Sequence, residues 1–224
     1  MGGSGSFPVD LVLFGMIAAF LVLRLRSILG RRGGYERPAQ PQQPGGTPAP
    51  AAPVADARAE PAQAPTMRDL PDPGSQIGQA LLQMRQAERG FDPARFLAGA
   101  EHAFRLIVTA FAQGGRQELR PLLSDDTYRA FESAIAAREM AHETHRTEIR
   151  SIESAAIIGA HLAENGLASI TVRIVSDQIN VTVSANGLPS AGSESVTEIT
   201  DVWTFERHLN TPDPTWRLVS AASA

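Results

Sequence analysis

From residue 33 to residue 75 the chain reads GGYERPAQPQQPGGTPAPAAPVADARAEPAQAPTMRDLPDPGS. Apolar side chains larger than alanine and proline are almost absent from it. A segment of this kind buries too little apolar surface to offset the entropy lost on ordering. Its prolines favour extended polyproline II, so it is expected to act as a semi-stiff spacer with a reach of roughly 35 Å. It divides the 224 residues into a short N-terminal piece and a C-terminal piece of single-domain size. The expected division is a flexible start at 1–8, a transmembrane anchor at 9–29, a disordered Pro/Ala-rich linker at 30–75 and a folded domain at 76–222.

The anchor rests on LVLFGMIAAFLVL at 11–23, a run without charge. Thirteen residues are short for a span. Ile28 and Leu29 extend the apolar helix, and Arg24 and Arg26 can carry their charged heads to the interface. From Leu11 to Leu29 a helix rises about 28 Å, close to the hydrocarbon thickness of about 30 Å. A cleaved signal peptide wants its positive charge before the run and a small-residue site after it. Here the charge follows, as RLRSILGRR. Arg24, Arg26, Arg31 and Arg32 then mark the cytoplasmic side and suit anionic lipid head groups. The expected location is the cell inner membrane, single-pass, with the C-terminal domain in the cytoplasm.

Charge and cysteine narrow the rest. No cysteine is present, which excludes disulfides and thiolate metal sites. Residues 91–217 hold eleven arginines against seventeen carboxylates. Nucleic-acid backbones require clustered positive charge, so no nucleic-acid partner is expected for this domain.

Ile77, Leu81, Leu82 and Met84 recur at helical spacing and predict an amphipathic helix over 75–89, closed by Gly90. Asp92-Pro93 is a cap and first-turn pair opening a second helix that runs to Gln113, where Gly114-Gly115 ends it. A short helix over 116–123 follows. Ser124, with Asp125 and Asp126 in the first turn, opens another that ends near His145. Beyond 149 the pattern alternates as strands do, over 149–162, 167–183, 196–209 and 215–219. Helices followed by a meander predict an α+β domain with helices packed on one face of an antiparallel sheet.

Two stretches carry a family resemblance. FLAGAEHAFRLIVTAFAQGGRQELRPLLSDDTYRAFESAI at 96–135 and TDVWTFERHLNTPDPTWRLV at 200–219 resemble the Tim-forty-four-like domain. That family is named for the membrane-associated scaffold subunit of the mitochondrial presequence translocase. The order of a short apolar helix, an arginine cluster, a Pro/Ala linker and a domain is similar to its bacterial members. The resemblance covers roughly residues 7–32 and 76–222. It implies a curved sheet of the nuclear-transport-factor-two-like or cystatin-like type with a hollow, and an adaptor role at an inner membrane. Mitochondrial members carry a long N-terminal region where this chain has a short anchor, so import-motor assembly does not carry over.

Candidate sites follow. The apolar stripe Ile77, Leu81, Leu82 and Met84 is a candidate partner-binding helix face, with packing on the domain itself as the alternative. Trp203, Phe205 and Trp216 are candidates for pocket lining, or for core. Glu139, His142, Glu143 and His145 cluster without the three or four convergent ligands a metal requires, and no metal or cofactor is expected. His161, Asp177, Asp201 and His208 lie on strands, but without a spacing that indicates catalysis, and no enzyme is expected. The reading is a membrane-anchored adaptor that recruits protein partners. The alternative is a tethered pocket domain binding a small hydrophobic or lipid ligand, and behind it an enzyme built on the hollow.

Overall fold

The computed structural model describes residues 66–223. The expected anchor, with Arg24, Arg26, Arg31 and Arg32, and the linker up to residue 65 lie outside the described residues. Among those described, no helix is long and apolar enough to cross a membrane.

The elements, in chain order, are β1 (Met67–Asp69), α1 (Gln76–Ala87), α2 (Pro93–Gln113), α3 (Arg116–Leu119), α4 (Asp125–Met140), β2 (Thr144–Leu162), β3 (Leu167–Val183), β4 (Pro189–His208) and β5 (Arg217–Ser223). One five-stranded sheet holds them in the order β1-β2-β3-β4-β5. The last four strands form the antiparallel meander the sequence predicts, and β1 is added parallel to β2. This is a mixed α+β domain. Among the described residues, β1 falls within the stretch read as linker, ahead of the expected boundary at 76.

The helix ends follow their local chemistry. Ser75, Asp92 and Ser124 each accept a hydrogen bond from the backbone N–H three residues on, satisfying a donor that a helix start leaves unpaired. Gly114 closes α2 at a φ of 74°, a left-handed position that glycine adopts without strain. The turn before α1 lies hard against the helix. A Cβ on Gly78 would sit 2.1 Å from the Asp72 carbonyl oxygen, so only glycine fits.

The core forms between α1, α2 and α4 and one sheet face. Leu97, Phe104 and Ile107 of α2 are fully buried, as are Ile170, Val172 and Ile174 of β3. Phe104 packs 4.8 Å from Trp203, centroid to centroid. Burial of each such side chain contributes about 1.5–3 kcal/mol relative to exposure. Further along β3 the same strand turns polar. Ser176, Gln178, Asn180 and Thr182 are buried there, and Gln178 donates to Ser176. His145 and Thr147 of β2 hydrogen-bond across to Thr182 and Asn180.

Candidate functional site

A half-open groove of about 410 Å³ lies where the α1–α2 turn, α2, and the junction of β4 and β5 meet. Its position follows from the helix pattern. α2 turns Phe96, Ala100 and Phe104 toward the sheet, which leaves Gly99, His102, Ala103 and Leu106 along the flank that borders the groove. Four aromatic rings make its apolar part. Phe96 meets Trp216 edge-on at 4.8 Å, Phe91 lies 6.0 Å from Trp216, and Phe205 stands 6.2 Å from Phe96. Leu106 is 44% exposed at the rim. Gly99 makes the wall low: a Cβ built there meets no atom within 4 Å.

One end of the groove is charged. The Arg207 side chain is 8% exposed and its Nη2 donates to Glu88 at 2.7 Å. Its guanidinium also lies 5.3 Å from the Trp216 ring centre, within range of a cation–π contact. The other Glu88 oxygen accepts from the Asn210 backbone N–H. The Arg207 hydrogen bond holds the Glu88 carboxyl below the usual carboxylate range, against the opposing effect of burial. Arg207 Nε is buried and has no hydrogen-bond partner among the described residues. The arrangement is an apolar slot ended by a fixed ion pair, suited to holding an apolar group beside a polar one.

The sequence candidates divide. Phe205 and Trp216 do line the groove. Trp203 does not: it is 1% exposed and packs into the core against Phe104. In the candidate helix face, Leu81 and Met84 are buried at 5% and 0%, while Leu82 is 39% exposed. Ile77 is half-buried against the same core. Of the two readings of the stripe, packing on the domain holds for Ile77, Leu81 and Met84, because α1 lies over β2 and turns that face inward.

The polar candidates do not assemble. α4 ends at Met140 instead of near His145, and His142 takes a left-handed φ of 52°. Glu139 is bound by Arg116, with both contacts at 2.8 Å. His145 sits on β2 with its ring nitrogens at 2.9 Å from Thr182 and 3.0 Å from Thr147. Among the described residues no three His, Asp or Glu side chains converge as metal ligands do. His208 lies seven residues beyond Asp201 on β4, roughly 23 Å along an extended strand. His161 pairs in register with Ser169, about 26 Å along β3 from Asp177. Neither aspartate stands beside either histidine.

The groove itself was missed from sequence, apart from two of its rings. One signal for it existed. Trp203, Phe205 and Arg207 alternate on β4, and a charge closing an apolar face marks where that face meets an opening.

Comparison with family models matches residues 77–223 to the family described as Tim44-like domain. No curated protein matches the chain. Among solved structures, the crystal structure of the intermembrane space region of the chloroplast protein ARC6 is similar at a TM-score of 0.42 and 10% identity. The likeness covers 57% of this chain and 95% of that one, and is too distant to inform function.

Proposed function

The chain belongs to the Tim44-like domain family, and from that membership we propose that it is a membrane-anchored adaptor whose groove receives part of a protein partner at an inner membrane. The single observation behind the reading is the groove. It is apolar inside, open to one side, and ended by the Glu88–Arg207 pair, the anatomy of a pocket that takes an apolar side chain with a polar neighbour. The apolar run at 11–23 and the arginines after it support the membrane location. The proposal assigns no catalytic role. Within it, the sheet is of the curved nuclear-transport-factor-two-like type. The register shifts in the pairing of β2 with β3 and of β3 with β4 support that reading, since each bulge bends its strand.

A second reading has its own support. The groove volume lies at the lower end of the range for small-ligand pockets, about 300–1,000 Å³. A small hydrophobic or lipid ligand is therefore the alternative occupant.

Gly99→Leu tests both. A Cβ at this lining position meets no atom within 4 Å, and leucine is a better helix former than glycine by roughly 0.8 kcal/mol. The variant is expected to melt no lower than the unaltered chain. A photo-reactive residue at position 106 should cross-link a protein in membranes, and Gly99→Leu should abolish the adduct. Adducts that persist in Gly99→Leu would overturn the groove as the recruiting site. Mass spectrometry of the purified chain reads the second occupant, a co-purifying hydrophobic ligand that Gly99→Leu excludes.

A further inference from the structure

β1 is the most lightly held strand of the sheet. It pairs with β2 over three positions, Met67 with Ser154, Arg68 with Ala155 and Asp69 with Ala156. All three of its residues are exposed, Met67 at 74%. Besides the ladder, the strand is held by a two-pronged ion pair. Arg68 Nε lies 2.6 Å from one oxygen of Glu101, and Arg68 Nη2 lies 3.1 Å from the other. The Glu101 carboxylate raises the pKa of the guanidinium.

Glu101 is unusual in its own setting. It is 7% exposed and stands on α2 in line with Leu97, Phe104 and Val108, a carboxylate on the border of an apolar face. A buried carboxylate without a counter-charge costs several kcal/mol. The residues matched to the family begin at 77, so β1 lies outside the unit this chain shares with the family. Glu101 and the β2 edge lie inside it. The shared unit carries a strand edge and a carboxylate, and the sequence just before it supplies the segment that fills them.

We propose that the outer edge of β2 at Ser154–Ala156, together with Glu101, is a docking strip for an extended, arginine-bearing segment of a partner protein, and that β1 is the chain's own ligand for it. The inference rests on the adaptor reading and names a second contact for it. Strand addition takes affinity from main-chain hydrogen bonds and selectivity from the side chains beside them. Ala155 and Ala156 are small and leave the backbone edge within reach. The Glu101 carboxylate presents both oxygens, which a planar guanidinium matches and a lysine ammonium does not. The tether keeps β1 at high local concentration. A free segment therefore wins only when it also engages elsewhere, as a partner seated in the groove would.

The test uses the full chain in detergent and a fluorescein-labelled peptide copying residues 64–71. Arg68→Glu sets two carboxylates face to face and opens the strip. The peptide should bind this variant at least about tenfold more tightly than the unaltered chain. Glu101→Gln added to Arg68→Glu, or glutamine in place of the peptide's arginine, should remove most of that binding. If Arg68→Glu fails to fold, Arg68→Gln takes its place. No saturable binding to the opened chain, or binding indifferent to Glu101→Gln, overturns the proposal. So does a concentration-dependent dimer of the unaltered chain in which copies exchange β1, since the occupant is then a second copy. Cross-links at position 106 that survive these failures would leave the adaptor reading standing. Peptide binding without those cross-links would do the reverse.

Discussion

Arg207 places a buried charge at the end of an aromatic slot, and Glu88 is what makes that tolerable. Glu88→Gln keeps the shape and removes the counter-charge. It is expected to lower stability by about 1–3 kcal/mol at neutral pH, the usual loss for a hydrogen bond to a charged group. The pH dependence has a definite sign. The Glu88 carboxyl is depressed in the folded chain, chiefly by the Arg207 hydrogen bond. Its contribution is therefore fully present above the ordinary glutamate value, about 4.3, and is lost as pH falls through the lower folded value. Between the two, the unfolded chain binds more protons. Other carboxylates, including Asp125 and Asp213, are depressed as well. The difference between Glu88→Gln and the unaltered chain isolates this one. Thermal melts across pH 7 to about 3 should show the two curves converging in acid. Parallel curves would mean that the pair is worth nothing to the fold. Trp203 is the contrasting residue: buried at 1% against Phe104, it is expected to cost about 3–5 kcal/mol on Trp203→Ala. A loss below about 1 kcal/mol in a thermal melt would make it a pocket wall after all.

Among the elements, α1 decides between two uses of one apolar stripe. Leu81 and Leu82 are neighbours in sequence, yet one is buried and the other 39% exposed. Leu81→Glu is expected to destabilise by more than about 3 kcal/mol, because it leaves a carboxylate unpaired in the core. Leu82→Glu should stay within roughly 0.5 kcal/mol. Circular dichroism melts of the full chain would separate the two, and equal effects would mean that α1 does not pack as described. The sequence could not make this distinction, since periodicity places a stripe on one face without saying what covers it. Where local chemistry is strong, legibility was high: Asp92-Pro93 and Gly114-Gly115 bracket α2, and its observed range matches the expected one. It was low where strands are polar. The first residues of β2, Thr-His-Arg-Thr-Glu, pair with the end of β3, and on one face His145 and Thr147 bond Thr182 and Asn180 instead of filling an apolar core. Alternation of apolar residues has nothing to report there. β1 was invisible for another reason: its three residues are exposed, and its partner strand lies 87 positions away. The groove followed the same rule. Phe205 and Trp216 were visible as aromatics, whereas Gly99 and Glu88 matter only through what the fold sets beside them.

At the scale of the whole molecule, the domain works as an adaptor only if it is held at a surface, and that rests on residues 9–29. The run from Leu11 to Leu23 has no charge, and the four arginines Arg24, Arg26, Arg31 and Arg32 follow within nine residues. Positive charge close to the end of a span stays on the cytoplasmic side, and the nearest short flank dominates. The segment before the run holds Asp10 and no basic residue, so the two flanks do not compete. The orientation expected is N-terminus outside and domain inside. Two measurements on bacterial cells expressing the full chain check it. Carbonate at high pH strips proteins held by charge alone and should leave this chain in the membrane pellet. Protease added to intact spheroplasts should leave the domain whole, and detergent should then expose it to cutting. Leucine at 24, 26, 31 and 32 removes the charge difference, and the expected result is a mixed population, part of it cut from outside. Release by carbonate would remove the anchor. Complete cutting from outside in the unaltered chain would place the groove and the β2 edge on the other side of the membrane. The adaptor reading would then have to draw its partners from that compartment.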